Sequence, residues 1–236
     1  MKSILESTLR DGCWAGHRAF VVGSGPSMKG FDFSLLQGEF SVGCNDEYLW
    51  GPTLALAQDP RITMGDGIPN RVPLFKDPRW LHGPHVPIYF QGHPDQPYPK
   101  PPDSDQVYII GSAHSKEAPF RWGHSLAEGL YYGANVGMAA LNLAEILGAD
   151  PIYLLGLDAR WEDSSTHHHG RYPKEWTLDK EVDRKAVYGR WIKEFRKIAQ
   201  MVRASVINLN PESGIDAFPK AEINVLETAA YGRIVI

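Results

Sequence analysis

Short apolar runs that stop abruptly at glycine or at polar residues recur along this chain and alternate with stretches of helical periodicity. "AFVV", from Ala19 to Val22, is apolar at every position, so both of its faces need cover, as in a strand inside a parallel sheet. Gly23-Ser24-Gly25-Pro26-Ser27 ends it at once. "PIYLLGLD" (Pro151 to Asp158) and "ASVINLNPESG" (Ala204 to Gly214) have the same form. "FSVGCNDEYLW" and "LALAQDPRI" add two more strand-like runs, which end in Cys44-Asn45-Asp46 and Gln58-Asp59-Pro60.

Two stretches carry the helical period. "NVGMAALNLAEILGAD" sets Val136, Ala140, Leu143 and Leu147 on one stripe, with Gly148 as its C-terminal stop. "DKEVDRKAVYGRWIKEFRKIAQMV" sets Val182, Ala186, Trp191, Phe195, Ile198 and Val202 near helical spacing, with basic residues outside. Helices alternating with buried strands predict right-handed crossovers and an α/β, Rossmann-like fold: a mostly parallel, doubly wound sheet with helices on both faces. Between Gly65 and Pro102 the pattern fails. Pro, Gly and His crowd that region, which predicts no helix and at most short edge strands. Residues 65–105 therefore read as an irregular, ordered insertion, with Trp80, Tyr89, Phe90 and Tyr98 available to pack. An exposed aromatic surface there would pair two copies of the chain. No repeat or internal boundary divides residues 1–236, so a single domain is expected.

Composition narrows the function classes. With 43% hydrophobic residues the chain can build its own core. A net charge of −4 gives no field to recruit nucleic acid or an anionic membrane. Only Cys13 and Cys44 carry thiols, which fits a reducing cytoplasm rather than a disulfide framework. The first twenty residues lack the apolar core of a signal peptide, and no window is long and apolar enough to span a membrane.

The candidate chemistry gathers where the strands end. A glycine pair after a first strand lets backbone N–H groups approach an anion, and a following helix start adds partial positive charge. Gly23, Ser24, Gly25, Pro26 and Ser27 therefore form a candidate phosphate turn, although a purely structural turn fits the same residues. Asn45 and Asp59 stand at two further strand ends, and in open α/β sheets that edge is where ligands bind. Each also suits a turn or cap. Asp158 and Arg160 follow the fourth run, and His167, His168 and His169 follow in a loop. Successive histidines point in different directions and no partner has ligand spacing, so general base or phosphate binding is preferred over a metal site. A solvated loop is the plain alternative. Asn208, Asn210, Glu212 and Ser213 leave the last run, suited to reading a base or sugar, or to local turns.

The ordered series "GSGPSMKGFDFSLLQGEFSVGCNDEYLW", "QDP", "VGMAALNLAEILGADPIYLLGLD", the His loop and "NLNPESGIDAF" resembles the bacterial sialyltransferases of glycosyltransferase family 42. It is equally similar to a superfamily of archaeal 6-hydroxymethylpterin diphosphokinase-like and motility-associated glycosyltransferase-like proteins. The first resemblance implies a nucleotide-dependent transferase using a CMP-type nucleotide-sugar donor and a small-molecule or glycan acceptor. It implies nucleotide binding by Ser24, Gly25, Pro26, Ser27 and Asn45; Asp59-Pro60 stands where the family has Asn-Pro and is closer to the diphosphokinase-like pattern, and Gly23, Asp59, Gly137, Asp158, Asn210 and Ser213 complete the expected nucleotide-binding set. It places Arg160 and Thr166 where the family has two tyrosines at the leaving phosphate, and Arg171 where it has a catalytic histidine, leaving His167, His168 or His169 to act as base. The second resemblance implies diphosphate transfer from ATP, with Mg²⁺ near Asp59 or Asp158. A non-catalytic nucleotide- or glycan-binding module is the third reading.

Overall fold

A computed structural model describes residues 9–59, 62–63, 72–91, 107–113, 121–133, 135–160, 167–171 and 184–223. Seven strands form one sheet: β1 (Ala19–Val22), β2 (Phe40–Cys44), β3 (Leu54–Ala57), β4 (Val86–Gln91), β5 (Tyr108–Gly111), β6 (Ile152–Leu155) and β7 (Val206–Asn208). Their order is β5-β4-β3-β2-β1-β6-β7, and every adjacent pair is parallel. The fold is therefore the α/β, Rossmann-like sheet that the apolar runs predict. The chain winds outward from β1 to β5, then returns to lay β6 against the other side of β1. This reversal puts a topological switch point between the carboxyl ends of β1 and β6.

Both faces of the central strands are buried, which is why the runs show no alternation. Ala19, Phe20, Val21 and Val22 are all inaccessible. Val21, Val42, Leu56, Ile88 and Leu154 face a core shared with α2 (Val136–Ile146) and α3 (Arg184–Ile198). The opposite face has shorter cover: 3₁₀ turns at Pro26–Met28, Phe33–Leu36, Asn45–Trp50 and Leu74–Lys76, with α1 (Pro78–Leu81). Helix α2 is buried on nearly all sides, not along a single stripe. The added cover is residues 121–133, which Asn142 fastens: its Oδ1 accepts from the Gly123 and Tyr131 amides, and its Nδ2 donates to the Gly123 carbonyl. Gly148 follows the end of α2 at φ +91°, a conformation that suits glycine. Val182 of the second helical pattern lies outside the described residues.

The proline-rich middle departs from expectation. It contains α1, and β4 is an interior strand between β3 and β5, not an edge. Pro87 is tolerated because it precedes the first β4–β5 pair, Ile88 with Tyr108, so its missing N–H falls before that ladder begins. Trp80, Tyr89 and Phe90 pack inside, as expected of them, while Tyr98 lies outside the described residues. Cys13 and Cys44 are unpaired, and burial with the Glu47 charge pushes the Cys44 thiol far up. Among the described residues no helix is long and apolar enough to cross a membrane.

Candidate functional site

The glycine turn exists to let β1 and β6 end in close contact. The Gly23 amide donates to the Leu155 carbonyl, and the Gly25 amide to the Gly156 carbonyl, each at 2.8 Å. A Cβ at Gly23 would stand 2.6 Å from Leu157 Cδ2, and one at Gly25 would overlap the Asp158 carboxylate. Pro26 opens the 3₁₀ turn, where its lack of an N–H is harmless. Ser27 then donates twice to Asp158: its amide to Oδ2 at 2.8 Å and its hydroxyl to Oδ1 at 2.6 Å. Several N–H groups that sequence assigned to a bound anion are thus already engaged, and at Ser27 the anion is the chain's own carboxylate.

Asp158 is the hub of this edge. Its Oδ1 also accepts from Asn210 Nδ2 at 2.8 Å, so a 4%-exposed carboxylate is held by three neutral donors. Asn210 in turn accepts from the Glu212 amide. The Ser213 hydroxyl lies against the carbonyls of Leu157 and Asp158. Both oxygens of Asp158, one of the two positions near which the diphosphokinase-like reading expects Mg²⁺ (the other is Asp59), already accept hydrogen bonds. Gly137 stands in the first turn of α2, where a Cβ would meet Leu157 Cδ2 at 2.7 Å. It brings the N-terminus of an eleven-residue helix, capped by the Asn135 side chain, to the same region.

The end of β2 contributes a second group. Asn45 sits at φ +53° and accepts through Oδ1 from the Gln58 amide at 3.3 Å, tying the end of β2 to that of β3. The 3₁₀ turn that follows aims Asp46 and Glu47 inward, at 1% and 2% exposure. The His loop lies over them. Its His168 amide donates to the Ser24 carbonyl at 2.9 Å, and His168 Nε2 meets Glu47 Oε1 at 2.9 Å. His169 Nε2 lies 3.9 Å from Asp46 Oδ2, and Arg171 Nε lies 3.6 Å from the same oxygen. The His167 ring stacks on that of His169 at 5.6 Å. At the rim, Arg160 donates to the Glu212 carbonyl at 3.0 Å and pairs with its carboxylate at 2.9 Å. Asp59 uses its carbonyl to start the turn containing Ile62 and Thr63. Thr166 lies outside the described residues.

Sequence reasoning therefore brought Ser24, Ser27, Asp158, Asn210, Ser213 and the His loop to one sheet edge. It missed Glu47, whose only signal was a second acid beside Asp46 just past a strand end. It also left His168 without a partner. Glu47 stands 121 positions earlier, and only the fold joins them.

No protein-family model matches the chain, and no curated protein does. Among solved structures it is similar to the MAf glycosyltransferase of Magnetospirillum magneticum AMB-1, at 14% identity and a TM-score of 0.47. That match covers 94% of this chain but 38% of the other, so the chain spans well under half of that protein. It is also similar to the sialyltransferase CstII of Campylobacter jejuni in complex with a substrate analogue, CMP-3FNeuAc, at 12% identity and a TM-score of 0.47, covering 89% and 87% of the two chains. A complex of CST-II with a trisaccharide acceptor and CMP gives 14% identity and a TM-score of 0.45, over 92% and 89%. These structural neighbours are glycosyltransferases. Similarities of this size assign neither a family nor a reaction.

Proposed function

We propose that the protein is a nucleotide-dependent transferase that moves a glycosyl group from a nucleotide sugar to a hydroxyl acceptor. The observation that carries this reading is the His168 and Glu47 pair, held over the glycine turn at the sheet's switch point. A carboxylate on one ring nitrogen fixes the tautomer and orientation of an imidazole, leaving the other nitrogen to take a proton. The acceptor hydroxyl is the proton's source in this reading, and the donor's anomeric carbon takes the resulting oxygen. The leaving nucleotide phosphate carries away the bonding pair.

The remaining residues have assigned roles in this reading. The nucleotide lies along the ends of β1, β2 and β6, near Ser24 and the N-terminus of α2, whose partial positive charge favours phosphate. Asn45 offers its amide to the nucleotide. Arg160 exchanges Glu212 for the departing phosphate, since a guanidinium matches phosphate oxygens in pairs. The order of motifs along the sequence, which resembles that of sialyltransferases, supports a CMP-type donor.

The test begins with thermal melting in the presence of CMP, CDP, UDP, GDP and ADP. A nucleotide at about 100 times its Kd stabilises the native state by roughly 2.7 kcal/mol. The expected result is a rise with CMP. Release of nucleotide from the matching donor sugar is then followed, and His168→Ala is expected to lower kcat by about 10²- to 10⁴-fold. A flat melting curve with every nucleotide, together with silent donors, overturns the proposal.

A further inference from the structure

Asp46 and Glu47 are adjacent and almost fully buried. Asp46 has Arg171 at 3.6 Å. Glu47 has no lysine or arginine within 4 Å among the described residues, and its hydrogen bond runs to an imidazole. Carboxylates withdrawn from water to this degree are ordinarily paired with a cation or bound to a metal. One donor atom from each of Glu47, His168 and His169 lies within 4.8 Å of the others.

We propose that Glu47, His168 and His169 form a binding site for a divalent transition-metal ion, with open coordination positions facing the sheet's carboxyl edge. Two imidazole nitrogens and one carboxylate oxygen make a donor set suited to Zn²⁺, Co²⁺, Ni²⁺ or Fe²⁺, whereas Mg²⁺ and Ca²⁺ take oxygen ligands. Metal bonds of about 2.0–2.2 Å place tetrahedral ligands about 3.4 Å apart, so His168 Nε2, now 2.9 Å from Glu47 Oε1, would open slightly to admit an ion. The scaffold for this exists on both sides. Glu47 stands on a 3₁₀ turn continuous with β2, and the loop is pinned through the His168 amide to Ser24.

The surroundings of His169 favour the same use. Its Nδ1 accepts from the Arg171 amide across a long 3.3 Å, which leaves the proton on Nε2, toward Asp46. An ion competing for Nδ1 would keep that tautomer and leave Nε2–H to Asp46. A carboxylate behind a ligating imidazole orients it and raises its basicity. Adjacent histidines alone do not make such a site. Glu47 supplies what the His loop lacks, and Asp46 Oδ2 stands 3.9 Å behind His169 Nε2.

The site lies beside the proposed nucleotide region, where an ion would act on a phosphate as a Lewis acid. Binding of the ion does not depend on the glycosyl-transfer reading. The two uses of His168 exclude one another, since an ion on Nε2 displaces the hydrogen bond to Glu47 that orients a general base.

The test uses the full chain stripped with a chelator and dialysed. Zn²⁺ is titrated calorimetrically, and Co²⁺ by its visible absorption. One ion per chain is expected, with affinity reduced at least about tenfold in Glu47→Gln and in His169→Ala, since even outer partners of a metal ligand cost that much. His124→Ala, on an exposed loop elsewhere, is expected to bind as the parent does. X-ray absorption of the parent's zinc adduct requires no variant and is expected to show two imidazoles. Absence of binding, equal affinity in Glu47→Gln, or a zinc shell without two imidazoles overturns the proposal. Nucleotide melting shifts in chelator-treated protein are read separately. Metal binding sinks the use of His168 as general base, metal binding without nucleotide binding sinks the whole glycosyl-transfer reading, and nucleotide binding without metal binding sinks only the metal site.

Discussion

Asp158 shows how much one side chain can organise at a strand end. Three donors converge on it from two segments remote in sequence, Ser27 and Asn210, and among the described residues no arginine or lysine hydrogen-bonds to its carboxylate. Removing it in Asp158→Ala leaves the Ser27 amide, the Ser27 hydroxyl and Asn210 Nδ2 without their acceptor. Asn210 Nδ2 is buried, and orphaning it costs about 1–3 kcal/mol, whereas the donors of exposed Ser27 turn to water, so a loss of at least about 1 kcal/mol is expected in urea denaturation. Gly25→Ala tests the same contact from the other side, because its methyl overlaps the carboxylate and must force Asp158 or the turn to move. If both variants melt with the parent, the hub is not holding the two strand ends together.

At the scale of elements, α2 depends on polar fastening as well as apolar burial. Asn142 is wholly inaccessible and bonds three backbone groups of the segment that covers the helix. Asn142→Ala strands two amides and a carbonyl, and a loss of at least about 2 kcal/mol is expected from the denaturation midpoint. The helix itself is legible in sequence: an Asn cap, a run of Ala and Leu, and glycine past its end. Its burial on the outer side is not legible, because the cover comes from residues 121–133, which carry no periodic pattern. Strand β4 was hidden for a related reason. Proline argues against an interior strand unless its missing donor falls outside the ladder, and only the register shows that it does.

Over the whole molecule, acid stability depends on a contact between distant segments. Burial raises the Asp77 carboxyl, but hydrogen bonds from Arg79 and Tyr48 outweigh it and hold the group at about 2. A carboxyl held below its unfolded value of 3.8 stabilises the fold at higher pH, and that contribution fades as pH falls from about 4 toward about 2. Tyr48→Phe removes one of these donors across 29 positions. It is expected to cost about 1.5–3 kcal/mol near neutral pH, with the difference from the parent shrinking toward pH 2 in denaturation series. A constant difference down to that pH would mean that the Asp77 charge is not what Tyr48 stabilises.

The sequence by itself determined five of the seven strands (β1, β2, β3, β6 and β7), the two long helices and the sheet edge at which polar residues collect. Those features are written in local patterns: apolar on both faces where a strand is covered on both, period 3.6 where a helix packs, glycine where the backbone must approach another. Only the tertiary structure decided the partners. It occupied the glycine turn with Asp158, set Glu47 against His168, and made an interior strand of a proline-bearing segment. Side-chain pairing across 131 or 121 positions leaves no local trace, because the groups meet through the crossovers of the sheet and not through any spacing along the chain.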